Sequence, residues 1–333
     1  MTNEQGSSKP MQHLYTGNDV SSYTMELVEA RRAQQHAILT TGIAPLDKYM
    51  KPWLPGELIF VLGFTSHGKT ALMQAMCRNV VGQLAKREST DEIAVYASWE
   101  TLVEELGLYD LASMTGIDAT RAWYGQHNDA EAARLRNAAM RRAGMPLWVL
   151  GDSLKRRREG GGLTVPTMQQ ALLEMEDSRG IKPAVIFADY LQIIPSEENA
   201  EFRIKLLHTV DALRDMGRRC GAPVVVGCQA SRKVLDRSFK LPEIGDGAET
   251  SQIERDADKL LAIWYPCKSE PEGEYITELG EHVTDDLMVL GIRKQRHAAS
   301  GQVFPVRFEP GRNLFTSWIP EAQAIPEEAE LEF

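Results

Sequence analysis

The sequence predicts an α/β protein: a mostly parallel central sheet with helices on both faces and an antiparallel C-terminal edge. Three observations predict it. From residue 57 onward, strand-like and helix-like runs alternate. The early strand-like runs are continuously apolar, as strands buried on both faces are. The last strand-like runs follow one another with no helix between them, which favours antiparallel pairing at that end.

Taken in order, residues 1 to about 21 are polar and Gly/Ser-containing, and read as a mobile arm. Residues 22–36 carry Tyr23, Leu27 and Ala30 on one side with no Gly or Pro, and predict a helix. Gly42, Pro45, Pro52, Pro55 and Gly56 mark a turn-rich connection. Residues 57–62 form the first buried strand, ending at Gly63. Residues 69–86 follow as a helix through Leu72, Met73, Met76, Val80 and Leu84. Strands are expected at 93–97, 147–150, 184–188, 223–227, 260–264, 287–292 and 303–308. Helices are expected over most of 102–143, with breaks at Gly107, Gly116 and Gly125, and over 167–178 and 202–219. Residues 321–333 hold five Glu and no basic residue, and read as a flexible acidic tail.

Composition narrows the function classes. The chain has 333 residues, 43% of them apolar and 25% charged, enough for a full core and against wholesale disorder. A net charge of −10 excludes a generally basic coat, so any nucleic-acid contact must come from local clusters. Apolar runs are interrupted by charge before they reach membrane-spanning length, and the start of the chain, with Glu4, is no signal peptide. Cys77, Cys220, Cys228 and Cys267 lack metal-ligand spacing and read as free thiols of a reducing cytoplasm.

The chemistry begins at Gly63-Phe64-Thr65-Ser66-His67-Gly68-Lys69-Thr70, a full G-x-x-x-x-G-K-[ST] match between a predicted strand and a predicted helix. Such a loop turns successive backbone N–H groups of Gly63, Thr65, Ser66, His67 and Gly68 toward one anion, at the positive end of the helix dipole. Lys69 then reaches the outer phosphates and the Thr70 hydroxyl ligates Mg²⁺. Asp189, ending the apolar run 185–188, lies where a parallel sheet opens its ligand crevice and can support that metal; a turn cap is the alternative. Glu100, after the strand at 93–97, can polarise an attacking water, or is a surface carboxylate. Gln229 ends the apolar run 224–226 and can sense the γ-phosphate, or merely satisfy buried backbone groups. Lys294 and Arg296 stand two apart on a late strand and so point the same way, as cations for a transferring phosphoryl group or as a solvated strand end.

In this order the motifs resemble the DnaB family of hexameric replicative helicases, specifically its C-terminal RecA-fold ATPase domain. The resemblance spans about residues 22–320. Thr41-Gly42-Ile43-Ala44-Pro45-Leu46-Asp47 is similar to the family's lead-in to the first strand, and Ser98-Trp99-Glu100 to its Ser-x-Glu motif. Asp189-Tyr190-Leu191-Gln192 resembles its extended Walker B run, Gln229-Ala230-Ser231-Arg232 its sensor, and Lys294-Gln295-Arg296 its trans-acting basic pair. The resemblance implies a RecA-like P-loop NTPase over 38–320. It also implies an N-terminal arm and linker helix, within 1–37, that packs on a neighbouring subunit. ATP and Mg²⁺ are the implied cofactors, and a homohexamer the implied assembly. Single-stranded DNA in a central channel, and a loader or initiator protein, are the implied partners; no membrane is. Glu100 would activate water, while Lys294 and Arg296 would act on the adjacent protomer. Channel-loop candidates for DNA are Arg203, Lys205, Arg232, Lys233, Arg237 and Lys240, with Glu249 in the second loop.

Three departures matter. There is no room for the family's primase-docking N-terminal domain, so primase coupling is not implied. Ala248 stands where the family usually has an arginine. Residues 155–162, Lys-Arg-Arg-Arg-Glu-Gly-Gly-Gly, read as a basic insertion. The expected activity is therefore ATP-driven 5′→3′ translocation on single-stranded DNA with duplex unwinding in replication. The alternative is a RecA-fold, ATP-gated assembly module that binds nucleotide and partners without unwinding.

Overall fold

A computed structural model describes residues 14–33, 38–87, 91–155, 162–196, 201–247 and 251–320. The start of the arm, the last residues expected of the linker helix, most of the basic insertion, Ala248, Glu249 and the acidic tail lie outside the described residues. The chain divides into two compact units, Met1–Ile38 and Leu39–Phe333.

The first unit contains helix α1, Gly17–Ala33. It begins at Gly17 rather than at residue 22, where the apolar periodicity starts. The cause is a capping box: the Thr16 hydroxyl accepts from the Asp19 N–H at 3.2 Å, and the Asp19 carboxylate accepts from the Thr16 N–H at 2.8 Å. Tyr23 and Leu27 are about half exposed, at 56% and 49%.

The second unit is built on a nine-stranded sheet. Its strands are β1 (Leu58–Gly63), β2 (Glu92–Ser98), β3 (Leu147–Leu150), β4 (Lys182–Asp189), β5 (Val224–Gln229), β6 (Lys259–Trp264), β9 (Leu287–Gln295), β10 (Val303–Glu309) and β11 (Leu314–Ser317). Between β6 and β9 a small separate hairpin forms from β7 (Tyr275–Ile276) and β8 (Glu281–His282). The order is β11-β10-β9-β6-β1-β5-β4-β2-β3. The run from β6 to β3 is parallel, while β9, β10 and β11 join antiparallel, as the sequence predicts.

All six residues of β1 are buried, and their alternation explains why. Leu58, Phe60 and Leu62 enter one core cluster; Ile59 and Val61 enter the other, on the opposite face. Helices α7 (Val165–Arg179) and α8 (Phe202–Arg219) supply Met168, Leu172, Leu206, Val210 and Leu213 to the first face. Helix α3 (Lys69–Lys86) covers the second with Leu72, Met76, Val80 and Leu84. Each such leucine contributes about 2 kcal/mol by leaving water. Short α2 (Ala44–Asp47) precedes β1. Helices α4 (Val103–Thr115), α5 (Ala119–Trp123) and α6 (Asp129–Ala143) fill the β2–β3 connection. The expected break at Gly107 does not occur: α4 runs through it and stops at Gly116. An internal glycine costs only about 1 kcal/mol, and packing on α3 and α6 outweighs it. Short α9 (Ser251–Asp256), β11 and the hairpin were not foreseen from periodicity.

Candidate functional site

The phosphate loop leaves β1 at its C-terminal end and enters α3. Gly63 is required by packing: a Cβ there would lie 2.5 Å from Ile263 Cγ2 on the neighbouring β6. Lys69 opens α3 and folds back over the loop, its Nζ donating to the Phe64 carbonyl at 2.7 Å. Burial lowers the Lys69 pKa, opposed by the nearby Asp189, Cys228 and Glu100. A cavity of about 490 Å³ opens above the loop, lined by Thr65, Ser66, Gly68, Lys69, Thr70, Glu100 and Gln229. Tyr265, Lys268 and Phe308 form part of its wall. That volume suits a nucleotide-sized ligand.

Asp189 ends β4 and is fully buried. The Tyr96 hydroxyl donates to its Oδ2 at 3.0 Å, while Oδ1 is buried with no hydrogen-bond partner among the described residues. Burial raises the Asp189 pKa; the Thr70 and Tyr96 hydroxyls and Lys69 oppose the rise. A free carboxylate oxygen beside a hydroxyl in the first turn of α3 is an all-oxygen donor set of the kind a hard divalent cation takes. The residues thus fit Mg²⁺. The β2 and β4 ends are tied together, Trp99 N–H donating to the Asp189 carbonyl at 3.1 Å, which carries Glu100 to the cavity wall.

Gln229, at the end of β5, donates from Nε2 to Thr65 Oγ1 at 2.7 Å. The backbone-satisfying role belongs instead to Gln192, whose Oε1 accepts from the Gln229 N–H at 3.2 Å and whose Nε2 contacts Cys228 Sγ at 3.4 Å.

Two predicted loop residues stand back from the cavity. Gly63 lies at the base of the loop. The His67 imidazole turns toward β6, Nδ1 accepting from the Tyr265 N–H at 3.2 Å with its ring edge-on to Phe64. Burial, then Lys69 and Lys268, push its pKa down to about 4, so it sits there as a neutral anchor.

Lys294 and Arg296 are not brought to the cavity of their own chain. Lys294 pairs in register with Leu260, at the start of β6 and so at the sheet end opposite the phosphate loop. Leu58 to Gly63 is five steps of about 3.3 Å, which separates the two ends by roughly 16 Å. Lys294 Nζ donates to the Glu254 carbonyl at 2.6 Å, and Arg296 Nε pairs with Asp258 at 2.9 Å. Burial, then Arg296, lower the Lys294 pKa.

Among the DNA candidates, Arg203 and Lys205 lie in the first turn of α8, the first exposed and the second half-buried. Arg232 and Lys233 lie in a 3₁₀ turn after β5, and both are exposed. Arg237 is held by a two-bond fork to Asp246 at 2.6 and 2.7 Å, and Lys240 by Glu270; both are engaged within the chain. Neither Tyr96 nor Lys268 carries a motif or periodic signal in the sequence. Tyr96 reads as one more apolar residue of a strand, and Lys268 lies in an aperiodic stretch.

The sequence pattern described as "DnaB-like helicase C terminal domain" matches residues 39–317. A protein named replicative DNA helicase DnaB from Rickettsia bellii is 24% identical over 262 residues, covering 76% of this chain and 51% of the relative. A probable plasmid replicative DNA helicase from Chlamydia trachomatis is 28% identical over 223 residues, covering 67% of this chain and 46% of the relative. The chain spans about half the length of these curated relatives. Among solved structures, an isolated ATPase domain superposes with a TM-score of 0.74 at 18% identity, covering 92% of this chain and 100% of that one. A DnaB-like replicative helicase, solved in a study of its interactions with primase, gives 0.71 at 18% identity, covering 88% of this chain and 66% of that one. These likenesses show the RecA-like fold.

Proposed function

The chain belongs to the DnaB-like helicase C-terminal domain family, and from that premise we propose that it is an ATP-hydrolysing motor. It assembles as a homohexamer, moves 5′→3′ on single-stranded DNA in a central channel and unwinds duplex during replication. One observation carries the reading: Lys69, Thr70, Glu100 and Gln229 converge on one cavity with Asp189 behind it, while Lys294 and Arg296 sit at the far end of the sheet. A single chain so arranged does not bring Lys294 and Arg296 to its own cavity, and in this reading a neighbour's pair completes the site.

In this reading Lys69 and the loop N–H groups bind the phosphates of ATP. Thr70 and Asp189 hold Mg²⁺, which when bound neutralises phosphate charge. Glu100 orients a water and takes its proton. Gln229, bonded to Thr65, registers loss of the γ-phosphate. Lys294 and Arg296 of the adjacent copy stabilise charge on the transferring group. Arg203, Lys205, Arg232 and Lys233 face the strand in the channel, six copies offsetting the net negative charge of each chain. Arg237, forked to Asp246, shapes the channel loop rather than gripping phosphate. Residues 1–37, including α1, serve as an arm packing on a neighbour, and a loader or initiator protein delivers the ring.

The test is ATPase and forked-duplex unwinding with and without single-stranded DNA. Turnover accelerates with DNA, and Lys69→Ala and Glu100→Gln abolish turnover and unwinding. Unwinding at full rate by Glu100→Gln defeats the assignment. ATP turnover indifferent to DNA, with no strand separation, returns the assembly-module reading.

A further inference from the structure

We propose that Tyr96 is a positioning residue for the metal-supporting carboxylate: its hydroxyl holds Asp189 Oδ2 and so sets how the carboxylate is turned beside Thr70. The inference rests on the proposed nucleotide site and deepens it.

The strand geometry makes the contact specific. Tyr96 and Phe187 are register partners on β2 and β4, and their rings stack at 5.8 Å and 17°. Stacking fixes the plane of the tyrosine ring, which extends its hydroxyl along β4 to Asp189, two residues beyond Phe187. Tyr96 is 3% exposed and Asp189 is wholly buried, so neither exchanges this bond for water. A phenylalanine would pack as well; the hydroxyl has no partner other than Asp189 among the bonds described.

Asp189 Oδ1 is buried and makes no hydrogen bond among the described residues. Across from it on β5 stands Gly227, where a Cβ would come 3.2 Å from Oδ1 and 3.1 Å from both Met73 Sδ and Tyr190 Cβ. The carboxylate is thus clamped at Oδ2 and closely walled by β5, with the Thr70 hydroxyl and Lys69 nearby. A buried carboxylate free to rotate about its χ2 would spread its oxygens over several directions. The Tyr96 bond removes that freedom, as outer partners do for metal-binding carboxylates generally.

The experiment measures the affinity of wild type, Tyr96→Phe and Phe187→Leu for a fluorescent ADP analogue, in Mg²⁺ titrations and in EDTA, with the nucleotide-free melting midpoint alongside. For Tyr96→Phe, affinity in EDTA stays near wild type, while the melting midpoint falls because a buried carboxylate oxygen loses its donor. The Mg²⁺ concentration needed for half of the metal-dependent gain rises on the order of tenfold, and saturating Mg²⁺ restores binding. Phe187→Leu loses ring packing but keeps the hydroxyl, so its melting midpoint falls while its Mg²⁺ response stays near wild type. A Tyr96→Phe protein with the wild-type Mg²⁺ response overturns the inference, as does a Phe187→Leu protein with the same Mg²⁺ defect. Wild type whose nucleotide affinity ignores Mg²⁺ overturns the metal reading of the site, and this inference with it.

Discussion

Mixing two inactive variants, Lys69→Ala and Arg296→Ala, is expected to restore ATP hydrolysis. The magnitudes separate the possibilities sharply. Within one chain Arg296 lies roughly 16 Å from the phosphate loop, and at that range in water a pair of unit charges interacts by about 0.3 kcal/mol. Acting on its own chain's nucleotide, Arg296 would matter by less than about twofold. Placed against the transferring phosphoryl group of a neighbour, an arginine is worth about 10³ to 10⁵ in rate. Arg296→Ala alone therefore loses nearly all turnover. In a ring of head-to-tail copies, a site is whole when its cradle comes from Arg296→Ala and its neighbour is Lys69→Ala. With random one-to-one mixing that is about a quarter of the interfaces.

The variant itself is expected to fold. The Arg296 side chain is 52% exposed, and an ion pair of that kind is worth about 1 kcal/mol or less. Asp258 keeps the Leu58 N–H at 2.9 Å and Arg214 at 3.5 Å when Arg296 is removed. The assay is DNA-stimulated ATP hydrolysis by mixed particles from co-expression with two different tags, compared with each parent. Turnover no greater than the sum of the parents refutes the shared-site argument, as does an Arg296→Ala protein that keeps half of wild-type activity.

Three further outcomes are expected. Gly63→Ala drives a Cβ to 2.5 Å from Ile263 Cγ2 and 3.0 Å from the Ile263 carbonyl; overpacking of this kind costs about 1–3 kcal/mol, read as a lowered melting midpoint, and an unchanged midpoint would show that β6 yields freely. His67 is depressed from 6.5 to about 4 in the folded chain, so the unfolded chain binds the extra proton first. Its contribution, of order 3 kcal/mol, is complete above pH 6.5 and lost as pH falls toward 4, and urea unfolding of His67→Gln across that window should show a shallower pH slope than wild type. Lys268→Ala removes a cation from the cavity wall and should weaken nucleotide binding by about threefold to tenfold at low salt, an effect that shrinks as salt screens it; a deficit indifferent to salt would mean lost packing instead.

The parts of the site legible in the sequence are those whose geometry is local. The phosphate loop specifies its own turn, and α3 and α8 begin and end at the residues their periodicity marks, because each lays one continuous apolar stripe on the sheet. Asp189, Glu100 and Gln229 were legible because a parallel sheet delivers its strand ends to one side. What stayed hidden depends on partners distant in sequence. Tyr96 acquires its role from a residue on another strand, and Lys268 from a turn that folds over the cavity. The two-residue strands of the β7–β8 hairpin are too short to show a period, and α4 crosses Gly107 because tertiary packing overrides a local preference. Arg237 and Lys240 looked like free cations because ion pairing with Asp246 and Glu270 is invisible along the chain.

Those ion pairs bear on how a nucleotide signal would travel. The segment after β5 is held at both ends by the strands β5 and β9. At its start Gln229 bonds the phosphate loop through Thr65, and the next residues are stitched back, Ser231 N–H donating to the Asp246 carbonyl at 2.7 Å and Ala230 bridging Gly247. At its far side Arg293 of β9 donates to the Pro242 carbonyl at 2.9 Å and its guanidinium lies 2.8 Å from the Glu243 carboxylate, one residue before Lys294. On the proposed reading, Arg232 and Lys233 ride on a stretch joined at one side to the residue that would sense the chain's own nucleotide and at the other to the strand that would reach the neighbour's. On that reading, a shift at either nucleotide would move this stretch against the charge-assisted Arg237–Asp246 fork and the Arg293 bond to the Pro242 carbonyl, which favours discrete positions over graded ones. Stepwise movement of a bound strand would need such two-position elements, and the Arg237–Asp246 fork and the Arg293 bond to the Pro242 carbonyl are those that would have to hold or release together.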